Sequence, residues 1–194
     1  MFHLSLPQID NGVFTCSGPL TLSTAGQRLP RLIMPKHPAV LAAEDEESDV
    51  FLLNMAFKQA GVPNPLTVVR DGEEAIAYLN GDAPYNDRSR HPLPGLLLLD
   101  LNMPRLNGFD VLSWLASHPD LKNLPAVVLS SSAQDSDIAK ARTLGAVDYR
   151  VKPTGLNNLI TLLQEIVPRW LKSAGLPSSP PHASPSVAAQ IKGP

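Results

Sequence analysis

Four apolar runs in this chain end in residues that could do chemistry together. Ala39–Ala43 ends in Glu44-Asp45-Glu46, and Gly95–Leu99 ends in Asp100. Ala126–Leu129 ends in Ser130, and Val147–Val151 ends in Lys152-Pro153. Short apolar runs bounded by turn residues read as buried strands of a parallel sheet. In such a sheet the C-terminal strand ends share one edge, where open α/β sheets bind ligands. A carboxylate cluster, a single aspartate, a hydroxyl and an ammonium would then converge.

That set suits one kind of reaction. Close carboxylates repel, and one would take a proton unless a cation neutralised them. With oxygen-only ligands, a hard divalent ion such as Mg²⁺ is the natural choice. A metal and a lysine on opposite sides of one carboxylate would clamp the oxygens of a transferring phosphoryl group. Carboxylates are nucleophiles toward phosphoryl groups and give acyl phosphates. The residues therefore assign Asp100 as nucleophile, Asp45 as metal ligand, Glu44 as outer-sphere ligand, and Ser130 and Lys152 as phosphoryl partners. Each also has a plainer reading. The acidic run can cap the next helix, with Glu46 in place of Asp45 if the register is shifted by one. Ser132-Ala133-Gln134-Asp135 can form a capping box. Lys152 can be a loop lysine, and Tyr149 a plain strand aromatic. The plain readings do not predict all four strand ends at once.

The elements that must position these residues follow from periodicity. Strands are expected at Ala39–Ala43, Leu66–Arg70, Gly95–Asp100, Ala126–Ser130 and Val147–Val151. A helix over about Ser48–Ala60 carries Val50, Leu53, Phe57 and Ala60 on one face and stops at Gly61. A second spans about Gly72–Leu79, and a third has Phe109, Leu112 and Ala116 in register. A fourth, Asp135–Leu144, has a weak apolar stripe. In the fifth, Leu156, Leu159, Ile160, Leu163, Ile166 and Val167 fit the helical period, and Pro168 is expected to kink or end it. Five β-α units imply a doubly wound, flavodoxin-like (βα)5 sandwich around a parallel sheet. The long segment 80–94, with Arg88, Arg90 and His91, reads as a solvated loop.

Composition narrows the function class. The chain has 194 residues, a formal net charge of −2 and a hydrophobic fraction of 43%. A normal core is expected, without the basic surplus of a nucleic-acid binder. A single cysteine, Cys16, excludes an intrachain disulfide framework and fits a reducing, cytoplasmic setting. No apolar run is long enough to span a membrane, and no secretory leader pattern is present. The five histidines show no ligand spacing. Residues 1–37 lack either period and read as an irregular N-terminal arm. The stretch 173–194 holds five prolines and five serines and reads as a disordered tail. The ordered unit is then 38–172.

Residues 39–167 resemble a response-regulator receiver domain of two-component signalling. The matching residues are Glu44-Asp45-Glu46, Asp100-x-x-Met103-Pro104-x-x-x-Gly108, Ser130, Tyr149 and Lys152-Pro153. Ser130 stands where threonine is commoner. The Tyr78-Leu79-Asn80-Gly81 loop and the Leu99-Asp100-Leu101-Asn102-Met103-Pro104 core are similar to small regulators paired with phytochrome-type kinases. The resemblance implies strand order 2-1-3-4-5 and phosphorylation of Asp100 by a sensor histidine kinase. It implies Mg²⁺ on Asp45, Asp100 and the Asn102 backbone carbonyl, and a cis peptide before Pro153. It further implies a switch in which Ser130 moves toward the phosphoryl group and Tyr149 rotates inward. The signal would leave through the face of the fourth helix, fifth strand and fifth helix, toward a target protein or a second copy. No outside substrate is turned over; phosphorylation and dephosphorylation of the chain itself are the only chemistry. The alternative, a Mg²⁺-dependent phosphatase or phosphotransferase with an Asp nucleophile, usually needs a second Asp two residues on. Asn102 stands there.

Overall fold

A computed structural model describes residues 37–173. The N-terminal arm and the Pro/Ser-rich tail expected from the sequence lie outside the described residues, apart from His37 and Ser173 at their edges, as does Cys16. Ten regular elements alternate: β1 (Val40–Ala43), α1 (Glu47–Gln59), β2 (Leu66–Val69), α2 (Gly72–Asn80), β3 (Leu96–Leu99), α3 (Gly108–Ala116), β4 (Ala126–Ser130), α4 (Asp135–Thr143), β5 (Asp148–Val151) and α5 (Leu156–Ser173). A single 3-10 turn, Pro119–Leu121, precedes β4. All strand pairs are parallel, in the order β2-β1-β3-β4-β5. The order and the five-unit alternation are those expected from the sequence.

Side chains on a strand alternate between faces, and the strands here divide accordingly. Leu41, Ala43, Leu97, Leu99 and Val128 join Tyr78, Val111 and Leu112 in one core layer under α2, α3 and α4. Val40, Ala42, Leu96, Leu98, Val127 and Leu129 join Leu53, Phe57, Leu163 and Ile166 in the other, under α1 and α5. Strands buried on both faces must be apolar throughout. That is why the run Leu96–Leu99 shows no alternation in sequence, and all four residues are buried.

Three local expectations are corrected. Pro168 neither ends nor visibly divides α5, which runs on to Ser173. A proline inside a helix costs on the order of 3 kcal/mol. Here Trp170 and Leu171, beyond it, are partly buried against the α1–α5 core layer, and that burial offsets the cost. Gly95 makes room for Leu171: a Cβ there would lie 2.8 Å from Leu171 Cδ2 and 2.8 Å from Pro38 Cβ. The capping box expected at Ser132–Asp135 is absent. Gln134 occupies the N-cap of α4, and the Ser132 hydroxyl instead donates to Asp137 Oδ2 at 2.5 Å. A complete capping box is found at α3, where Asn107 and Asp110 bond each other's backbone N–H. Finally, the segment after α2 is only partly a solvated loop. Arg90 is exposed, but Arg88 donates to the carbonyls of Tyr78 and Leu79, 2.7 Å each, covering free carbonyls at the end of α2.

Candidate phosphoryl-acceptor site

Sheet register brings the sequence-predicted residues together. Ala43 pairs with Leu99 across β1 and β3, so Glu44 and Asp100 follow side by side. The Asp100 N–H donates to the Ala43 carbonyl at 3.0 Å, extending the ladder by one step. On the other side, Ser130 pairs with Val151, and the Lys152 N–H donates to the Ser130 carbonyl at 2.8 Å. The β3–α3 loop then leaves at once, because Gly108 permits a close approach. A Cβ on Gly108 would stand 2.3 Å from the Asp100 carbonyl oxygen, and its N–H bonds the Leu101 carbonyl at 3.1 Å. The Asp100-to-Gly108 spacing is therefore a packing requirement. The same loop is tied to α2: Arg105, at φ 63°, forms ion pairs with Asp71 and Glu73.

The side chains converge as expected from the sequence. Asp100 and Glu44 are each 5% exposed, and Ser130 is fully buried. Asp100 Oδ1 accepts from the Leu101 N–H at 2.6 Å, and Oδ2 accepts from Lys152 Nζ at 3.1 Å. Lys152 Nζ also lies 2.7 Å from Glu44 Oε2. Carboxylate oxygens of Glu44, Asp45 and Asp100 lie within 4.8 Å of one another. Glu46 is not one of that trio; it accepts from the Ser48 hydroxyl at the start of α1. The register with Asp45 facing Asp100 is therefore the observed one. Asn102 is exposed, two residues beyond Asp100.

Electrostatics follow from burial. Burial pushes the Glu44 carboxyl up to about 7, against the opposing pull of Lys152. Burial alone would lower Lys152. Hydrogen bonds to Asp49 and Glu44, with the charge of Asp100, reverse this and hold its ammonium above the usual lysine range. The lysine is thus a fixed cation. Two buried carboxylates and the more exposed Asp45 at one edge, with one lysine among them, make an oxygen-rich acidic set that a hard divalent ion fits.

Two expectations change in detail, and one residue is new. The Lys152–Pro153 bond is trans, the lower-energy form even before proline; among the described residues the cis bond is Ala83–Pro84. Tyr149 is already inward. It is 8% exposed, and its hydroxyl donates to the Ser132 carbonyl at 2.9 Å. Asp49, on α1, was not singled out from sequence, yet its Oδ2 accepts from Lys152 Nζ at 2.8 Å. In sequence it is one more acid in a first helical turn, where a favourable dipole interaction is the ordinary explanation.

A parallel five-stranded sheet carries an aspartate, a second acid and a lysine at its C-terminal edge, the arrangement that the sequence resemblance implies. The response regulator receiver domain family matches residues 40–164, and the chain belongs to it. The chain is 34% identical over 140 residues to the response regulator Rcp1 of Synechocystis sp., covering 72% of this chain and 93% of that protein. The structure of the phosphorylated cyanobacterial phytochrome response regulator RcpA superimposes with a TM-score of 0.65 at 37% identity, covering 73% of this chain and 99% of that one. A Mn²⁺-bound form of Rcp1 gives a TM-score of 0.63 at 33% identity. The chain is a two-component response regulator similar to the phytochrome-associated group. No helix among the described residues is long and apolar enough to cross a membrane.

Proposed function

We propose that Asp100 accepts a phosphoryl group from a phosphohistidine of a sensor kinase, in a Mg²⁺-dependent reaction, and that the acyl phosphate is the signal. The observation that carries this reading is the placement of a buried Asp100 between the acidic pair that follows β1 and Lys152 after β5. A carboxylate oxygen of Asp100 attacks phosphorus. The P–N bond breaks, and its electron pair returns to the imidazole nitrogen. Lys152 and the Ser130 hydroxyl meet the phosphoryl oxygens. Asp45, Asp100 and the Asn102 carbonyl hold the metal, with Glu44 in the outer sphere. When bound, the ion supplies positive charge for the equatorial oxygens. Water attacking the same phosphorus breaks the acyl O–P bond, releases inorganic phosphate and returns the free carboxylate, so the domain turns over its own phosphoryl group only. Two similar proteins support a divalent metal and phosphorylation: Rcp1 has a Mn²⁺-bound form, and the phytochrome response regulator RcpA a phosphorylated one. A phytochrome-type kinase in the cytoplasm is the proposed donor. A phosphatase with an Asp nucleophile is disfavoured because Asn102 stands where its acid/base would be.

The output follows from the same edge. An acyl phosphate adds charge and strong acceptors beside Ser130. Ser130 is tied to the Ser132 N–H, at 3.4 Å, and the Ser132 carbonyl holds Tyr149. A move of Ser130 toward the phosphoryl group would pull on that link and on the start of α4. The α4-β5-α5 face, where Val147 and Val151 are 41% and 46% exposed, would then meet a target protein or a second copy. The test of the metal assignment is labelling by acetyl phosphate with Mg²⁺, compared across Asp45→Ala and Glu46→Ala. Asp45→Ala should lose labelling far more than Glu46→Ala. Labelling that survives chelator, or falls more in Glu46→Ala, contradicts the assignment.

A further inference from the structure

Lys152 Nζ has three N–H donors, and three carboxylates stand within hydrogen-bonding distance of it. Glu44 Oε2 is at 2.7 Å, Asp49 Oδ2 at 2.8 Å and Asp100 Oδ2 at 3.1 Å. The longest of the three contacts is to the phosphoryl acceptor. In the proposed phosphorylated state the same ammonium must turn from Asp100 Oδ2 toward a phosphoryl oxygen, and its hold on Glu44 and Asp49 opposes that move.

The three carboxylates differ in what release would cost. The Glu44 side chain is 7% exposed and the Asp100 side chain 6%. The other hydrogen bond to the Glu44 carboxylate is a 3.4 Å contact from the Glu46 N–H. Taking the lysine from Glu44 would leave a buried carboxylate almost unpartnered, which is the expensive case. The Asp49 side chain is 35% exposed. Water can replace an ammonium there at little cost. Asp49 also arrives from a different element, the first turn of α1, and makes no other hydrogen bond that would hold it in place.

We propose that Asp49 is a positioning residue that competes with the phosphoryl group for Lys152. It holds the ammonium in the unphosphorylated protein and hands it over when the acyl phosphate forms. Asp49 thereby sets how readily the phosphorylated state is reached, without touching the reacting atoms. This deepens the function proposed above and rests on it.

The test is beryllofluoride binding in the presence of Mg²⁺, followed by amide NMR on the full chain. The variants are Asp49→Asn, Asp49→Ala and Glu47→Gln, the last removing an equal charge from the same helical turn. Each is first checked for an unchanged thermal transition; Asp49→Asn keeps the side chain's size should Asp49→Ala unfold. Competition predicts tighter binding by about three- to tenfold in Asp49→Ala, the scale of a partly exposed ion pair. Asp49→Asn, which still accepts a hydrogen bond, should lie between parent and Asp49→Ala. Glu47→Gln should bind like the parent. Combined with Lys152→Ala, the Asp49 substitutions should lose their effect. Unchanged or weaker binding in Asp49→Ala overturns the proposal. So does equal tightening in Glu47→Gln, or an effect that persists without Lys152, since either makes it a general charge effect. Failure of the parent protein itself to bind beryllofluoride would instead overturn the function proposed for Asp100.

Discussion

Arg150 on strand β5 and Lys152 just after it are cations two residues apart, and they have opposite characters. Arg150 bonds Asp148 Oδ2 at 3.0 Å and Glu165 Oε1 at 2.6 Å, one on its own strand and one on α5. Its carboxylates face solvent in part, with Glu165 51% exposed. Lys152 meets Glu44 just after β1, Asp49 on α1 and Asp100 just after β3. Two of those three are buried. The Arg150 cluster sets one cation against two carboxylates that water also reaches, and it ties β5 to α5. The Lys152 cluster is over-supplied with negative charge at the sheet edge, an arrangement that favours binding another cation over stability. Ion pairs of similar length therefore do different work, and burial separates them better than distance does.

That contrast can be broken by substitution. Lys152→Ala should have the largest effect. It should lower acetyl phosphate labelling at least tenfold, read by intact-protein mass spectrometry, and destabilise the fold by about 3 kcal/mol in urea melts at neutral pH, because Glu44 and Asp100 lose their shared cation. Arg150→Ala should cost no more than about 1 kcal/mol in the same melts, with labelling unchanged. A loss of labelling comparable to that of Lys152→Ala would erase the distinction between the clusters. The smallest effect is expected from trimming the chain to 38–172, which we take as the folding unit. Both clusters lie inside it, so the transition should stay cooperative and the labelling intact. A loss of several kcal/mol on trimming would place part of the stability in the removed segments.

Much of this architecture is legible in the sequence, and the exceptions have physical reasons. Apolar runs such as Leu96–Leu99 announce buried parallel strands, and the strand ends then name Glu44, Asp100, Ser130 and Lys152 without further input. The parallel register does the rest. Asp49 was not legible, because its role depends on how α1 docks over the sheet edge, and a first-turn acid already has a local explanation. The continuation of α5 past Pro168 was also hidden. The sequence shows the lost N–H of a proline, but not that Trp170 and Leu171 find a core surface, where Gly95 leaves room for Leu171. Arg88 read as a loop residue because the carbonyls it covers belong to another element.

On the proposed function the buried strand-end aspartate, and no other carboxylate in this acidic cluster, takes the phosphoryl group. Peptide mapping by mass spectrometry after treatment with acetyl phosphate and Mg²⁺ decides this. One phosphoryl group is expected on the peptide containing Asp100, and none on any peptide of Asp100→Asn. Undiminished acyl phosphate in Asp100→Asn, or a label mapped to Glu44, Asp45 or Asp49 in the parent, would contradict it.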